Sequence, residues 1–244
     1  MKSKLLLGAL LAFGSLFAQV QQSTELPVSK KNVVKTNLLA YAFPNFNVTY
    51  ERVFTKKFSL AAAVGYTPAF KPNNYVSINN NNDVDISSIS ISNFSFTLEP
   101  RFYLGKGYSQ GFYLSPYYRY SKLSLEKFSI SESKGNAKVD ISGDLSANSL
   151  GLMIGKQWFL GQKKNWVLDW TIIGVHAGFS AGNLSGKSNQ TLSAQEQADF
   201  KKDLEDVSLD FVKIKANVDA HNAYVETDGG WLGLRTGLSL GYRF

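Results

Sequence analysis

The chain has 244 residues, a formal net charge of +7 and no cysteine. Without cysteine it cannot be a disulfide scaffold, a cysteine metal site or a lipid-anchored lipoprotein, and its basic residues are too scattered to indicate nucleic-acid binding. Aromatic residues make up 14% of the chain and charged residues 18%, with 20 glycines, which favours pleated strands.

The first eighteen residues predict a cleavable signal peptide. Lys2 and Lys4 form a basic start, residues 5–17 are apolar, and Ala18 precedes a plausible cleavage point. The apolar stretch of about thirteen residues is too short to cross a bilayer as a helix. The expected organisation is a signal peptide at 1–18, an N-terminal periplasmic segment at 19–32 and a β-barrel at 33–244.

Alternation of apolar and polar residues with a period of two predicts eight strands. They are placed at 33–42, 45–54, 58–67, 91–104, 111–126, 146–160, 165–178 and 231–244. Strands of soluble proteins usually have about five or six residues, whereas a tilted strand crossing a bilayer needs about 9–11. Pro100 and Pro116 fall inside strands and cannot donate to a ladder, so bulges or kinks are expected there.

The connections between these strands alternate in length. Links after strands 2, 4 and 6 are short, whereas those after strands 3, 5 and 7 are long and cover 68–90, 127–145 and 179–230. Short periplasmic turns opposite long extracellular loops are typical of outer-membrane barrels. Asp83 and Asp85, in the first long loop, lack the ligand spacing of a calcium loop. No metal site and no cofactor are therefore expected.

The last long loop is predicted to contain structure of its own. Ser193 and Glu196 have capping-box spacing, and a short helix is expected over 194–206. Residues 211–218 alternate weakly before a turn near 220–223. A helix followed by a hairpin is favoured over one continuous helix, because strand-forming valines dominate after residue 206.

The last strand shows how the two faces are assigned. Its even-numbered residues include Leu232 and Leu234, whereas Arg235 and Arg243 share the other face with glycines. Roughly forty bulky side chains would not fit inside a barrel of eight strands, so the apolar face is predicted to point outward, towards lipid. Lys156 falls on that face near the periplasmic end, from which it can snorkel.

The opposite face defines the candidate site. The charged residues predicted to point into the lumen are Lys35, Glu51, Glu99, Arg101, Arg119, Asp169, Arg235 and Arg243. Buried charges are tolerated only when paired, so the three carboxylates are expected to accept bonds from the basic residues in one network. This network is interpreted as a polar plug, and a gated conductance path through rearranging ion pairs remains the alternative.

Several segments resemble a family of small outer-membrane barrels of unknown function from Gram-negative bacteria. They are Lys35-Thr-Asn-Leu-Leu39, Pro44-Asn-Phe-Asn-Val-Thr-Tyr-Glu51, Lys57-Phe-Ser-Leu60, Glu99-Pro-Arg-Phe-Tyr103 and Gly237-Leu-Ser-Leu-Gly-Tyr-Arg-Phe244. The resemblance implies the eight-stranded barrel of the OmpA transmembrane type, and no activity. Leu238, Leu240, Tyr242 and Phe244 resemble the C-terminal signal read by the barrel-insertion machinery.

Three functions follow from this interpretation. The first is an outer-membrane barrel with a structural or surface-interaction role, whose partners are membrane lipid, the assembly machinery and an unidentified ligand at the long loops. The second is a small gated channel. The third is an outer-membrane acyltransferase or protease, for which His176 and His221 are the available bases. Because a base needs a positioned partner and none can be named, both histidines are interpreted as surface or girdle residues.

Overall fold

The computed structural model describes residues 30–71, 89–131, 138–206 and 212–244. The strands are β1 (Asn32–Asn37), β2 (Phe46–Val53), β3 (Phe58–Phe70), β4 (Ser90–Tyr103), β5 (Gly111–Ser131), β6 (Lys138–Leu160), β7 (Trp166–Ser188), β8 (Val212–Val218) and β9 (Asn222–Arg243), with one helix, α1 (Ala194–Asp206). The expected signal peptide and the aspartates at 83 and 85 lie outside the described residues.

Eight of these strands form a closed antiparallel ring. Neighbours follow chain order from β1 to β7, then β9, and β9 pairs back to β1 with Val33 opposite Arg243. β8 lies outside the ring and pairs with the first part of β9. The expected all-β, up-and-down barrel of eight strands with a short helix in its last loop is confirmed.

Four ring strands are much longer than expected. β5, β6, β7 and β9 have 21, 23, 23 and 22 residues, so strands occupy much of the predicted loops 127–145 and 179–230. The ladder continues through 180–188, where serine, glycine and asparagine leave little difference between the two faces. Alternation therefore revealed only the portions with an apolar outer face. We call β8 with residues 120–131, 138–148, 179–188 and 222–231 the projecting sheet.

β1 is shorter than predicted, ending at Asn37 rather than at residue 42. The Asn37 side chain accepts hydrogen bonds from the main-chain N–H groups of Leu39 (3.1 Å) and Leu238 (3.2 Å). The Asn47 side chain accepts the N–H of Asn37 at 2.6 Å. These side-chain bonds replace the ladder and direct the chain into a 3-10 turn at Leu39–Ala42.

No β-bulge forms at the two prolines, where a bulge or a kink was expected. Leu98 opposes Tyr118 and Phe102 opposes Leu114, so the register is unchanged on either side of Pro100 and Pro116, which face each other. Neither proline has an N–H to donate, and the Ser115 hydroxyl instead donates to the carbonyl of Pro100 at 2.7 Å. The hydrogen-bond ladder between β4 and β5 is interrupted here, but its register does not shift. The reason is that the two residues without an N–H donor lie opposite each other.

The helix-then-hairpin prediction is confirmed. Ser193 and Glu196 form the capping box: the Glu196 carboxylate accepts the N–H of Ser193 at 2.7 Å, and the Ser193 hydroxyl accepts the N–H of Glu196 at 3.3 Å. These bonds lower the pKa of Glu196. The turn between β8 and β9 is closed by the Asp219 carboxylate, which accepts the N–H groups of His221 and Asn222. In the part of the chain that the structure describes, no helix is long and apolar enough to cross a membrane.

Candidate functional site: the polar interior of the barrel

Six of the eight predicted lumen charges meet in the middle of the barrel. They come from five strands and are Lys35, Glu51, Glu99, Arg101, Asp169 and Arg235. The first five are at most 3% exposed. Each belongs to the face of its strand that points into the ring, as the period of two requires. We call these six residues the central cluster.

Lys35 is fully satisfied as a donor. Its ammonium donates to Glu51 Oε2 at 2.5 Å, Asp169 Oδ2 at 2.6 Å and Gln157 Oε1 at 2.9 Å. An ammonium has three protons to donate, so every one of them is used. Lys35 therefore connects β1 to β2, β6 and β7 through the interior.

Arg101 and Arg235 complete the neutralisation of the cluster. Arg101 donates to Asp169 through Nη1 and to Glu99 through Nη2, each at 2.6 Å, and its Nη1 lies 3.5 Å from Glu51. Arg235 Nη2 donates to the other oxygen of Glu99 at 3.0 Å. Three cations thus face three carboxylates, which is the condition under which buried charges are tolerated.

Neutral polar side chains that sequence reasoning missed satisfy the remaining carboxylate oxygens. Glu51 Oε1 accepts the hydroxyls of Ser59 and Tyr103, both at 2.6 Å. Asp169 Oδ1 accepts the Tyr113 hydroxyl at 2.9 Å, and Gln157 donates to Tyr103 at 3.0 Å. These residues share the inward parity of their strands with the predicted charges, so the same alternation would have found them.

Glycines on β6 make room for the interior tyrosines. A Cβ added at Gly155 would lie 2.3 Å from the Tyr113 hydroxyl and 2.7 Å from the carbonyl oxygen of Trp170. A Cβ at Gly151 would lie 2.5 Å from the Tyr117 ring. The absence of a side chain at these positions therefore allows large aromatic rings to lie flat inside a narrow barrel.

Gly155→Ala is expected to destabilise the barrel by about 1–3 kcal/mol, the usual cost of overpacking. The added methyl group would push Tyr113 away from Asp169 in the central cluster. The free energy of unfolding in urea, measured on protein refolded in detergent, checks this. Gly65→Ala is the matched control, since its Cβ would lie 3.0 Å from the Ser95 hydroxyl and in ordinary contact with the Asn45 side chain, at 3.7 Å or more. Equal stability of the two variants would contradict the expectation.

The other two predicted charges lie apart from the cluster. Arg243 is at the end of the barrel with short turns, where Nε donates to the carbonyl of Lys30 at 2.8 Å and the guanidinium lies over Phe159 at 4.7 Å. Arg119 lies on the other side of the cluster and donates to the Thr97 hydroxyl at 3.0 Å. Among the described residues, neither arginine has an ion pair.

His176 is an interior residue, so its interpretation as a surface or girdle residue was wrong. It is 9% exposed, and its Nδ1 is 3.0 Å from the Tyr117 hydroxyl. His176 points inward because β7 has a register shift between Thr171 and Gly174, which moves even-numbered residues beyond it to the inward face. His221 lies in the turn between β8 and β9.

The G-x-S-x-G spacing of hydrolase nucleophiles occurs twice in the chain, at Gly107–Gly111 and at Gly178–Gly182. Neither segment was among the predicted candidate sites. That motif needs a sharp turn from a strand into a helix. Ser109 instead lies in the short turn between β4 and β5, and Ser180 lies within β7. Both hydroxyls donate to main-chain carbonyls, those of Thr55 and Gly229, each at 3.3 Å. Neither segment has the geometry of a nucleophile elbow.

The outer face of the ring is strongly apolar. On β6 and β9, Leu150, Leu232 and Leu234 are 70%, 75% and 77% exposed. Lys156 is also on this face, and its ammonium lies over the rings of Phe112 (4.6 Å) and Trp158 (5.1 Å). The polarity of the barrel is therefore the reverse of that of a soluble protein, with charges inside and bulky apolar groups outside.

An eight-stranded antiparallel barrel with a charged, hydrogen-bonded interior defines the class of this protein. The family model described as "Protein of unknown function (DUF3575)" matches residues 9–200, so the chain belongs to that family. No curated protein and no solved structure matches the chain. Of the described residues, no group of three or more histidine, aspartate or glutamate side chains is arranged to hold a metal ion.

Proposed function

We propose that this protein is an outer-membrane β-barrel with a structural or surface-interaction role, and that the central cluster closes its lumen. The observation that carries the proposal is the reversed polarity of the ring. Exposing large apolar side chains to water on nearly every strand would make a soluble protein prone to association, whereas a bilayer accommodates such a band.

Paired aromatic residues support a membrane boundary at each end of the band. Four consecutive strand segments carry two aromatic residues eight positions apart: Phe46 and Phe54, Phe58 and Tyr66, Phe94 and Phe102, and Phe112 and Tyr120. At roughly 3.3 Å per residue the members of a pair are about 26 Å apart along the strand. That length fits an apolar band flanked by two aromatic girdles, given the tilt of barrel strands.

The projecting sheet is where a surface interaction would take place. It extends β5, β6, β7 and β9 on the side of the long connections, and α1 and β8 are added to it there. Recognition residues on other proteins are concentrated on segments held by a rigid scaffold. The central cluster supports the plug interpretation, because its bonds between β1, β2, β4, β7 and β9 fill the interior.

Two epitope insertions test this proposal in a Gram-negative host. One is placed after Gln190, between β7 and α1, and the other after Lys163, in the short turn between β6 and β7. We expect both proteins to sediment with the outer membrane. An antibody should bind the first epitope on intact cells and the second only after the membrane is permeabilised. A soluble protein, or the reverse pattern of labelling, would contradict the proposal.

A further inference from the structure

Arg119 carries a charge that the neutral central cluster does not compensate. The one hydrogen-bond partner of its guanidinium among the described residues is the Thr97 hydroxyl, at 3.0 Å. Glu99 is the interior carboxylate closest to Arg119 in the sequence, and it is already bonded to Arg101 and Arg235. The guanidinium is only partly exposed, so a counter-charge is needed to offset its loss of hydration.

Arg235, beside Arg119, has a guanidinium nitrogen that makes no hydrogen bond. Its Nη2 donates to Glu99, but its Nη1 is buried and has no hydrogen-bond partner. The guanidinium lies over the Tyr117 ring, 5.0 Å from the centroid. Tyr117 stands two residues before Arg119 on the same inward face of β5, so the two arginines border the same tyrosine. Two guanidinium groups therefore converge on one region of the lumen, with free N–H groups and excess positive charge.

Nothing on the described inward face supplies the missing negative charge. Of the described carboxylates of the projecting sheet, Glu126, Asp144, Glu226 and Asp228 are exposed on the opposite face, and the half-buried Asp140 shares the outward parity of Asp144 on β6. The inward residues on the facing wall are neutral and hydrogen-bonded to one another, as Asn45 is to Thr67 at 2.8 Å. The barrel thus presents two arginines on the side of the cluster that faces the long connections, without an internal partner for Arg119.

Tyr117 and His176 form a polar wall next to the arginines. The His176 ring lies over Gly233, where an added Cβ would be 2.4 Å from Nε2. The Tyr117 hydroxyl lies 3.0 Å from His176 Nδ1, and the guanidinium of Arg235 lies over the ring of the same tyrosine. The glycine backbone therefore leaves space for the imidazole inside the barrel, where it adds a further hydrogen-bonding group to the region.

We propose that Arg119 and Arg235, with Tyr117 and His176 beside them, form a binding site for an oxyanion, a carboxylate or phosphate group that enters from the side of the projecting sheet. The planar fork of a guanidinium matches such groups with two parallel hydrogen bonds. The proposal does not depend on the cellular location of the barrel, because it rests only on the interior.

Titration of inorganic phosphate into the refolded full chain tests the site, in non-ionic detergent and at constant ionic strength. Calorimetry and the thermal midpoint are the two measurements. We expect saturable binding that raises the midpoint, since a ligand that binds only the folded state stabilises it. Arg119→Gln should weaken binding at least tenfold. Without phosphate it should raise the midpoint, because it removes an uncompensated charge, whereas loss of a purely structural bond to Thr97 would lower it.

Lys215→Gln, on exposed β8, is the matched control and should bind phosphate as the wild type does. Arg119→Lys keeps the charge but loses the fork, and an intermediate affinity is expected of it. Acetate and glycerol phosphate are titrated in parallel, and the tightest of the three ligands identifies whether the oxyanion is a carboxylate, a free phosphate or a headgroup. Absence of saturable binding for all three, or wild-type affinity in Arg119→Gln, would overturn the inference.

Discussion

Asp169→Asn is expected to destabilise the barrel by about 3–5 kcal/mol, the usual cost of removing one partner from a buried ion pair. Asp169 accepts bonds from Lys35 and Arg101 at 2.6 Å each and from Tyr113 at 2.9 Å. The substitution keeps the shape of the side chain but leaves the three cations of the central cluster facing two carboxylates and a neutral amide.

Urea unfolding of the refolded protein, followed by electrophoretic mobility without heating, measures this loss. Asp228→Asn is the matched control, because Asp228 is an exposed residue of the projecting sheet. Its stability should stay within about 0.5 kcal/mol of the wild type, as for other surface substitutions. A similar stability for both variants would mean that the central cluster contributes nothing to holding the barrel.

A double variant separates the balance of charge from the loss of contacts. Lys35→Met combined with Glu51→Gln removes one cation and one carboxylate, so Arg101 and Arg235 still face Asp169 and Glu99. The loss of stability should be smaller than the sum of the two single losses, since neighbours in one network are not additive. Full additivity would contradict a shared network.

The second large effect is expected on the outer face. Leu152 is 48% exposed and lies opposite Pro116, midway between the aromatic positions Phe112 and Tyr120 of β5. If that face meets lipid, Leu152→Arg places a charge at the middle of the bilayer, which costs about 2–4 kcal/mol in a transmembrane barrel. In a soluble protein the same exposed substitution would be close to neutral.

Unfolding in phospholipid vesicles measures this difference. Tyr224→Arg is the control, because Tyr224 is 53% exposed on β9 but belongs to the projecting sheet, beyond the proposed membrane band. It should change stability by less than about 0.5 kcal/mol. If Leu152→Arg were as stable as Tyr224→Arg in vesicles, the assignment of the apolar face to lipid would be wrong.

The sequence was sufficient to predict the ring and the inward position of its lumen charges. A period of two fixes the face of each residue once the strands are placed, so Lys35, Glu51 and Asp169 could be assigned to the lumen from alternation alone. The same rule would place His176 on the outer face, but a register shift in β7 reverses the parity and puts its side chain inside.

How the lumen charges are grouped could not be predicted. Whether Arg119 reaches Glu99 depends on the stagger of strands around the ring, which no local pattern encodes. Arg243 was separated from the cluster for the same reason, and it contacts Lys30 and Phe159 instead. The length of the projecting sheet was also missed, because strands with similar polarity on both faces show no alternation.

The ladder that closes the ring is short. The β1–β9 ladder spans Val33 to Asn37, with a further main-chain bond pair at Asn32 and Phe244 and one bond from Leu38 to Leu238, whereas β7 and β9 are paired over most of their length. Sideways opening of the wall would therefore begin where β1 meets its neighbours. Lys35 opposes this from within, since one ammonium ties β1 to residues of β2, β6 and β7. The side chains that fill the lumen thus also stabilise the shortest strand pairing of the barrel, which is the pairing of β1 with its neighbours.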